Sequence, residues 1–298
     1  MHCAFIINGQ SKGSKTVLSR LHHFLGTQHA YWITKKAGDA IIMGHRAIEE
    51  RFTHIVAIGG DGTINEVING MLNHPSYETN RPFFSILPRG TGNDSARTLG
   101  ISASIEELKN RLLAGSIRST DAVRVDFTKS TNDLKHRYFF NVMDVGLGGH
   151  VAHRVANYRR KKWSLYAYQR AIIRVLPFYK KQPLKVFSPD FRYEGVALSV
   201  VIANGRWFGG GIGISPDADM SDGKLNVVIF GNVTFLQYLF YFPRLMAGKK
   251  INHAEVHYFE TERIEVTGTQ QRTELDGECY EFTPIHVHIE PGKINLLL

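Results

Sequence analysis

Cysteine is almost absent from this sequence, and so are long hydrophobic runs. The two cysteines, Cys3 and Cys279, cannot form a disulfide framework and lack metal-ligand spacing, as is typical of a reducing compartment. The best hydrophobic stretch, FLQYLFYF, is far shorter than the ~18–20 apolar residues that cross a bilayer. No signal-peptide pattern opens the chain. We therefore expect a cytoplasmic protein without a transmembrane segment.

Internal repeats, low-complexity tracts and Gly/Ser linkers are also absent. A chain of 298 residues is long for one core and suits two domains, and 43% hydrophobic residues are enough to fill them. Lysine and arginine number 36 against 27 acidic residues, so the net charge is +9. This charge favours an anionic partner, either nucleic acid, nucleotide phosphates or an acidic membrane surface, without choosing among them.

The patterning changes about two fifths of the way along the chain. Over residues 1–125, short apolar runs (CAFIIN, HIVAIG, FFSILP) alternate with amphipathic stretches at 14–26, 39–52 and 104–115, which predicts a three-layer α/β domain with a parallel sheet. Residues 126–298 consist of period-2 and β-branched segments, which predict an antiparallel β-sandwich with one helical insertion at about 150–176. The sequence does not decide whether the last residues of the chain return to the first domain.

A glycine-rich segment, Gly59-Gly60-Asp61-Gly62-Thr63, follows the apolar strand HIVAI and precedes a stretch with helical spacing. Glycines allow close approach to a phosphate, and the helix N-terminus and the Thr63 hydroxyl supply donors. Asp61 would repel phosphate, so its presence suggests a Mg²⁺ ligand or a proton acceptor. Gly-Gly-Asp-Gly is also ordinary turn chemistry between a strand and a helix.

A second loop, LPRGTGNDSAR, repeats this strand, glycine turn and helix pattern. Gly90 supplies the turn, Thr91 a hydroxyl donor, and Asp94 lies near the helix start, where it could also be a simple N-cap. Ligands of open α/β sheets bind beyond the carboxyl ends of the strands, where both loops fall. The pair therefore predicts a phosphate-binding site.

The segments GGDGTINEVING (59–70) and LPRGTGNDSAR (87–97) resemble the catalytic-domain signatures of the diacylglycerol kinase and sphingosine kinase superfamily, particularly its small bacterial lipid-kinase branch. The resemblance continues through Asn141 and Gly146, the segment 203–227 and Asp276-Gly277-Glu278, and so covers almost the whole chain in order.

This resemblance implies a transferase that is an ATP- and Mg²⁺-dependent lipid kinase, phosphorylating the hydroxyl of a diacylglycerol-like membrane lipid in phospholipid biosynthesis. Residues 1–125 would bind ATP, and residues 126–298 would bind the lipid at the inner membrane surface. The ATP site implied by the resemblance consists of Asn8, Ser11, Lys12, Thr34, Gly59, Gly60, Gly62, Thr63, Glu66, Gly90, Thr91 and Asn93.

The resemblance also implies catalytic and metal-binding carboxylates. Family members are described with either carboxylate of the DGE segment, or the GGDG aspartate, as general base, and we favour Glu278, with Asp276 and then Asp61 as the other candidates. Asp61 and Asp94 would hold the catalytic Mg²⁺, directly or through water. A second, structural Mg²⁺ would bind Asp222 through its side chain and Asp219 and Lys224 through backbone carbonyls; an ordinary Asp-Gly turn is the alternative.

The opening loop departs from the family pattern, since Gly9 and Lys12 replace the usual proline and glycine of Asn-Pro-x-Ser/Ala-Gly. The same stretch, GQSKGSKT, nearly fits a P-loop, but Ser14 stands where the last glycine is required. NAD kinases share the GGDGT loop and a two-domain plan, and they are the alternative enzyme class.

A non-catalytic protein that binds nucleic acid or an anionic membrane is the other alternative. It rests on the net charge and on the basic run at 159–162, followed by Trp163 as an interfacial aromatic. No nucleic-acid-binding motif accompanies the charge. The acceptor lipid and the oligomeric state are not readable from the sequence.

Overall fold

A computed structural model describes residues 1–11, 13–128, 135–157, 167–268, 272–281 and 284–298. The chain forms two compact units, Met1–Thr120 with Gly292–Leu298, and Asp121–Pro291. Lys12 and the basic run at 159–162 with Trp163 lie outside the described residues.

The first unit is built on a parallel sheet. Its strands are β1 (Cys3–Ile7), β2 (Ala30–Ile33), β3 (His54–Gly59), β4 (Phe83–Pro88) and the end of the last strand, β18 (Ile285–Leu297), in the order β2-β1-β3-β4-β18. Every residue of β1 is buried, as are all but the first residues of β3 and β4. Strands buried on both faces read as continuous apolar runs, which is why this sheet was visible in the sequence.

Five helices accompany this sheet: α1 (Ser14–Leu25), α2 (Asp39–Glu49), α3 (Asp61–Leu72), α4 (Asp94–Leu99) and α5 (Ile105–Ala114). α1 and α5 bury Leu21 and Leu108 in one cluster with Phe5 of β1. α2 and α3 pack closely against each other, because a Cβ at Gly70 would lie 2.1 Å from the Ile41 carbonyl oxygen. The predicted α/β domain is confirmed.

In its described residues, the second unit contains two large antiparallel sheets and a short hairpin. The first includes most of β5 (Ile117–Phe127), which begins in the first unit, together with β6 (His136–Phe139), β8 (Gln182–Phe187), β9 (Arg192–Ala197), β15 (Arg263–Gly268) and the first part of β18. The second has the order β14-β13-β10-β7-β16-β17, with β7 (Val142–Gly146), β10 (Ser199–Ala203), β13 (Leu225–Phe230), β14 (Val256–Thr261), β16 (Arg272–Leu275) and β17 (Glu278–Glu281). β11 (Trp207–Phe208) and β12 (Ile212–Gly213) form a short hairpin.

Alternate residues of the six-stranded sheet face two different cores. Met143 and Val145 of β7 pack in one cluster with Val186 and Val266 of the other sheet, which confirms the predicted sandwich. Val142, the residue before Met143 and hence on the opposite face of the pleat, belongs instead to a cluster with helical residues.

The helical layer consists of α6 (Leu147–Asn157), α7 (Ala167–Val175) with a 3₁₀ turn (Leu176–Phe178), and α8 (Phe235–Met246). α6 and α7 fall within or near the predicted insertion, whereas α8 was not predicted. It forms because Thr234 and Gln237 make a reciprocal capping box before an amphipathic stretch. Within the described parts of the chain, no helix combines the length and the apolar character required to span a bilayer.

Candidate active site

The loops that follow β1 and β3 meet where the strand order reverses. β1 lies between β2 and β3, so the chain leaves β1 towards one side of the sheet and β3 towards the other. The Asn8 side-chain amide after β1 donates to the Thr63 hydroxyl in the first turn of α3, at 3.0 Å. Such a reversal is where open α/β sheets bind ligands. Two of the predicted ATP-site residues are thus brought together here.

The two glycine loops pack directly against each other. A Cβ built on Gly90 would lie 2.3 Å from the Gly60 Cα, so only a glycine permits this approach. The Asn93 side chain closes the second loop, because it accepts from the Gly90 amide at 2.8 Å and donates to the Gly90 carbonyl at 3.0 Å. Thr91, between these two residues, is exposed.

Asp61 joins the first glycine loop to the start of α4. Its carboxylate accepts from the backbone amides of Asp94 (3.1 Å) and Ser95 (2.9 Å) and from the Ser95 hydroxyl (2.8 Å). A carboxylate at a helix N-terminus satisfies amides that have no partner within the helix. Ser95 was missed by sequence reasoning, although its place in the Asn-Asp-Ser run at the start of α4 was a capping signal.

The opening loop is held at its base by close contacts with Thr34. The Gly9 amide donates to the Thr34 hydroxyl at 3.2 Å, and a Cβ on Gly9 would lie 2.1 Å from the Thr34 carbonyl oxygen. The Asn8 carbonyl accepts from the Ser11 amide at 3.2 Å. The replacement of proline by glycine therefore permits close packing at this position.

Glu66 caps a neighbouring helix. Its two carboxylate oxygens accept from the Gly38 amide at 3.0 Å and the Ala40 amide at 3.2 Å, at the start of α2. By contrast, among the described residues no atom beyond its chain neighbours and the nearby backbone of α3 lies within 4 Å of the point where a Cβ on Gly62 would stand, in the first turn of α3. The resemblance implies that both residues lie in the ATP site, and of the two Gly62 has the open space that a phosphate needs.

In the second unit, Asp276 is a buried acceptor. It is 7% exposed, and its carboxylate accepts from the amides of Phe140 (2.7 Å), Asn141 (3.0 Å) and Val142 (3.0 Å). Its φ of 47° is left-handed, as suits the tight turn between β16 and β17. This geometry fits a residue that fixes the turn better than one that exchanges protons with a substrate.

Glu278 follows that turn at the start of β17 and is half-buried. Its carboxylate accepts from the Tyr280 hydroxyl at 2.8 Å. The Gly277 amide, within the same turn, donates at 2.9 Å to Glu274, and Glu274 also accepts from the Tyr168 hydroxyl at 3.0 Å. Glu274 was not predicted from the sequence as a site residue. The signal that could have identified it is its position as a charged residue within a buried strand.

Glu274 and Asp144 form a buried carboxyl pair on adjacent strands. They stand directly opposite in the β16–β7 ladder, and Asp144 accepts from the Ser199 hydroxyl at 2.8 Å. Burial raises the pKa of Asp144 to about 7. Burial, reinforced by the charge of Asp144, raises the pKa of Glu274 to about 8. At neutral pH the pair therefore holds protons that ordinary carboxylates would have lost.

The predicted structural metal site lies in the turn before β13. Asp222 accepts from the Lys224 amide at 2.9 Å, and Asp219 accepts from the Ser221 amide at 3.0 Å. The buried Asp121 accepts from the Gly223 amide at 2.8 Å. In the portion of the chain that the structure describes, no group of three or more His, Cys, Asp or Glu residues could hold a metal ion. The predicted site uses one carboxylate and two backbone carbonyls, so it does not contain such a group of side chains.

Comparison with known proteins adds two family matches. Residues 2–125 match the diacylglycerol kinase catalytic domain, and residues 141–298 match the YegS C-terminal NAD kinase beta sandwich-like domain. A diacylglycerol kinase of Staphylococcus saprophyticus is 28% identical over 254 residues, 85% of this chain and 79% of that protein. One of Staphylococcus epidermidis is 27% identical over 271 residues, 89% of this chain and 82% of that protein.

Solved structures agree on the fold. A crystal structure of a putative diacylglycerol kinase from Bacillus anthracis has a TM-score of 0.78 at 22% identity, covering 99% of this chain and 96% of the other. The match to the catalytic-domain family and the curated relatives together indicate a kinase with an alcohol group as acceptor. The chain belongs to the diacylglycerol kinase-like family of lipid kinases.

Proposed function

We propose that this protein transfers the γ-phosphate of ATP, with Mg²⁺, to the hydroxyl of a diacylglycerol-like membrane lipid. The observation that carries the proposal is the hydrogen bonding of Asp61 to the start of α4, which ties the two glycine loops together at the carboxyl ends of β3 and β4. The curated relatives in Staphylococcus are named diacylglycerol kinases, which supports this choice of acceptor.

ATP binds the first unit in this proposal, with its phosphates at the first turn of α3. The open space beside Gly62 admits a phosphate, and the amides of this turn and the Thr63 hydroxyl donate to it. Asn8 orients the Thr63 hydroxyl through their hydrogen bond. Gly60 and Gly90 keep the two loops close, and Thr91 and Asn93 of the second loop complete the site together with Ser11, Lys12 and Thr34.

Mg²⁺, when bound, neutralises negative charge on the phosphates of ATP. Asp61 and Asp94 would hold it, because carboxylate oxygens are the ligands that Mg²⁺ prefers. Both oxygens of Asp61 already accept from α4, so contact through water suits this residue better than direct ligation. Mg²⁺ commonly keeps several of its waters in such sites.

Glu278 is the general base of the proposed reaction. It accepts the proton of the lipid hydroxyl while the hydroxyl oxygen forms a bond to the γ-phosphorus, and the bond from that phosphorus to the bridging oxygen of ADP breaks. Asp276 fixes the turn that carries Glu278, since three backbone amides hold its carboxylate. Glu274 supports the same turn through the Gly277 amide.

Phosphate transfer from radiolabelled ATP to a lipid panel in mixed micelles tests this proposal. The panel contains diacylglycerol, phosphatidylglycerol, ceramide and a sphingoid base, with NAD in a parallel reaction. We expect Mg²⁺-dependent labelling of diacylglycerol that is lost in Asp61→Ala and Glu278→Ala. Glu281→Ala, which removes an exposed carboxylate from the same strand as Glu278, is the matched control and should retain activity.

Each other outcome has a definite meaning for the proposal. Label on NAD alone would replace the lipid acceptor with NAD. Label on a different lipid would retain the reaction and correct the substrate, and no label on any acceptor would refute the proposed activity.

A further inference from the structure

The outer face of α8 exposes large apolar side chains. Leu236 is 74% exposed and Phe240 is 75% exposed, and a spacing of four residues puts them on one face of the helix. Tyr238 and Leu245 of the same helix are buried in the cluster beneath it. Because the capping box fixes the start of α8, the exposure of Leu236 belongs to an ordered helix.

A second exposed apolar group lies three residues before a lysine that contacts the residues leading into α8. Phe178, in the 3₁₀ turn after α7, is 85% exposed. Three residues later, the Lys181 ammonium donates to the Asn232 side chain at 2.6 Å and to the Val233 carbonyl at 3.1 Å. These two contacts hold the chain after the 3₁₀ turn next to the residues that lead into α8.

The helices α7 and α8 also cover the same small cavity. Tyr168 and Ile172 of α7 and Tyr238 of α8 line it with their inner faces, above Asp144 and Ser199 of the sheet. Ile173, the next residue of α7 after Ile172, is 46% exposed. Both helices therefore bury one face against the sheet and present apolar residues on the other.

The segments that carry these residues have charges of one sign, although two carboxylates from outside them lie nearby: Glu255 accepts from the Asn232 amide and Asp217 pairs with Lys250. Neither residues 145–189 nor residues 223–254 contain a single Asp or Glu. The basic residues Arg170, Arg174, Lys180, Arg244 and Lys249 of these segments are all exposed. Apolar side chains surrounded by basic residues, with no acidic residue in the segment, are complementary to a leaflet with anionic headgroups.

We propose that this surface, the apolar-basic face, docks on an anionic lipid bilayer. Its apolar members are Ile173, Phe178, Leu236 and Phe240, and its basic members are Arg170, Arg174, Lys180, Arg244 and Lys249. The apolar side chains enter the region between headgroups and acyl chains, and the basic side chains contact lipid phosphates. The proposal deepens the proposed function, because a kinase that acts on a membrane lipid must reach the bilayer.

A second copy of this chain fits the face less well. A two-fold symmetric contact would set the same patch against itself, and its basic residues would then face basic residues. Anionic lipid has the opposite charge, so the charge pattern favours the bilayer.

Co-sedimentation of the full chain with vesicles tests the apolar part of the face. The vesicles contain either phosphatidylcholine alone or equal parts of phosphatidylcholine and phosphatidylglycerol. We expect binding to the mixed vesicles, and a loss of affinity of roughly tenfold or more in Leu236→Ser/Phe240→Ser. Leu113→Ser is the matched control, because this leucine is 65% exposed on α5, outside the face. It should bind as the unchanged protein does.

The basic part of the face has its own variant. Arg244→Gln/Lys249→Gln should weaken binding to the mixed vesicles and make it less sensitive to salt. Equal binding of the unchanged protein and both double variants would overturn the proposal. Analytical ultracentrifugation tests whether the face instead contacts a second copy. The proposal would also be overturned if the unchanged protein did not bind vesicles and Leu236→Ser/Phe240→Ser changed the oligomeric state.

A short-chain diacylglycerol in true solution separates this proposal from the proposed function. Leu236→Ser/Phe240→Ser should phosphorylate it at the normal rate and lose activity only on long-chain diacylglycerol in vesicles. If the unchanged protein binds vesicles through the face but phosphorylates neither lipid, the proposed function fails while the docking surface stands. Vesicle activity retained in full by the double variant would overturn the docking surface alone.

Discussion

Asp61 accepts two hydrogen bonds from Ser95, one from its backbone amide and one from its hydroxyl, although 34 residues separate them in the chain. This pair links the start of α3 to the start of α4 and thereby fixes the spacing of the two glycine loops. Asp61 has a structural role here in addition to any contact with a metal ion.

Replacement of Asp61 should therefore affect both stability and activity. Asp61→Asn leaves one acceptor oxygen for three donors, so we expect a loss of ~1–3 kcal/mol in the free energy of unfolding and no measurable phosphate transfer. Ser95→Ala removes only the hydroxyl bond and should cost ~0.5–1.5 kcal/mol with partial activity. Urea unfolding and the transfer assay measure the two effects. Unchanged stability in Asp61→Asn would contradict the structural role.

Two glycines of the site should respond differently to alanine. Gly62→Ala adds a methyl group where no described atom beyond the local backbone of α3 lies within 4 Å, so the fold should tolerate it while ATP binding weakens. Gly90→Ala puts a Cβ 2.3 Å from the Gly60 Cα and should destabilise the protein by ~1–3 kcal/mol. Thermal unfolding and calorimetric titration with ATP and Mg²⁺ distinguish them. An unchanged ATP affinity in Gly62→Ala would mean that phosphate does not approach this turn.

Replacement of the two carboxylates of the DGE turn should likewise have different effects on stability and activity. Asp276→Asn disturbs three buried hydrogen bonds from backbone amides, so we expect a loss of ~2–4 kcal/mol in the free energy of unfolding. Glu278→Gln keeps an acceptor for the Tyr280 hydroxyl, and it should leave stability nearly unchanged while kcat falls by ~10²–10⁴. The reverse pattern, with Asp276→Asn stable and inactive, would transfer the role of general base to Asp276.

The buried pair Asp144 and Glu274 should make stability depend on pH. Both pKa values are raised in the folded protein, to about 7 and about 8, above those of the unfolded chain. The folded state therefore holds more protons between about pH 4 and about pH 8, so stability is full at the acid end and is lost as the pH rises through this window.

Variants of this pair test that dependence. Asp144→Asn and Glu274→Gln each remove one titrating group and should flatten the decline of the urea midpoint between about pH 5 and about pH 8. Asp190→Asn, which changes an exposed carboxylate of the same unit, should not flatten it. The same decline in all four proteins would show that other groups control it.

The turn before β13 offers a test of the structural metal. If Asp222 binds Mg²⁺ there, added Mg²⁺ should raise the melting temperature of the unchanged protein and have a smaller effect on Asp222→Ala. Asp217→Ala, in the same segment, is the control and should respond to Mg²⁺ fully. An equal rise in melting temperature in all three proteins would show that Asp222 does not bind Mg²⁺ and that this segment is an ordinary Asp-Gly turn.

The sequence was most informative where function depends on residues close together in the chain. The GGDGT and RGTGND segments each specify a strand end, a turn and a helix start within a dozen residues, so these elements and the proximity of the two loops could be predicted. The lipid-kinase family could be predicted for the same reason, since these short segments carry the resemblance.

Features that depend on distant partners could not be predicted. Asp276 is a candidate base in the linear sequence, and only its contacts with amides some 135 residues away indicate a structural role. Glu66 similarly caps a helix 26 residues earlier at Ala40. The pairing of Glu274 with Asp144 depends on the register of two strands, which the sequence pattern does not fix.

The last strand gives the chain an unusual order of completion during synthesis. Residues 292–298 belong to the first unit, where Asn295 and Leu296 pair with Phe83 and Phe84 of β4. While the ribosome is still translating residues 121–291, β4 has no neighbour on that side and exposes an unpaired strand edge. The unit that begins first is thus finished last, and its open edge is a site where nascent chains can associate or recruit chaperones.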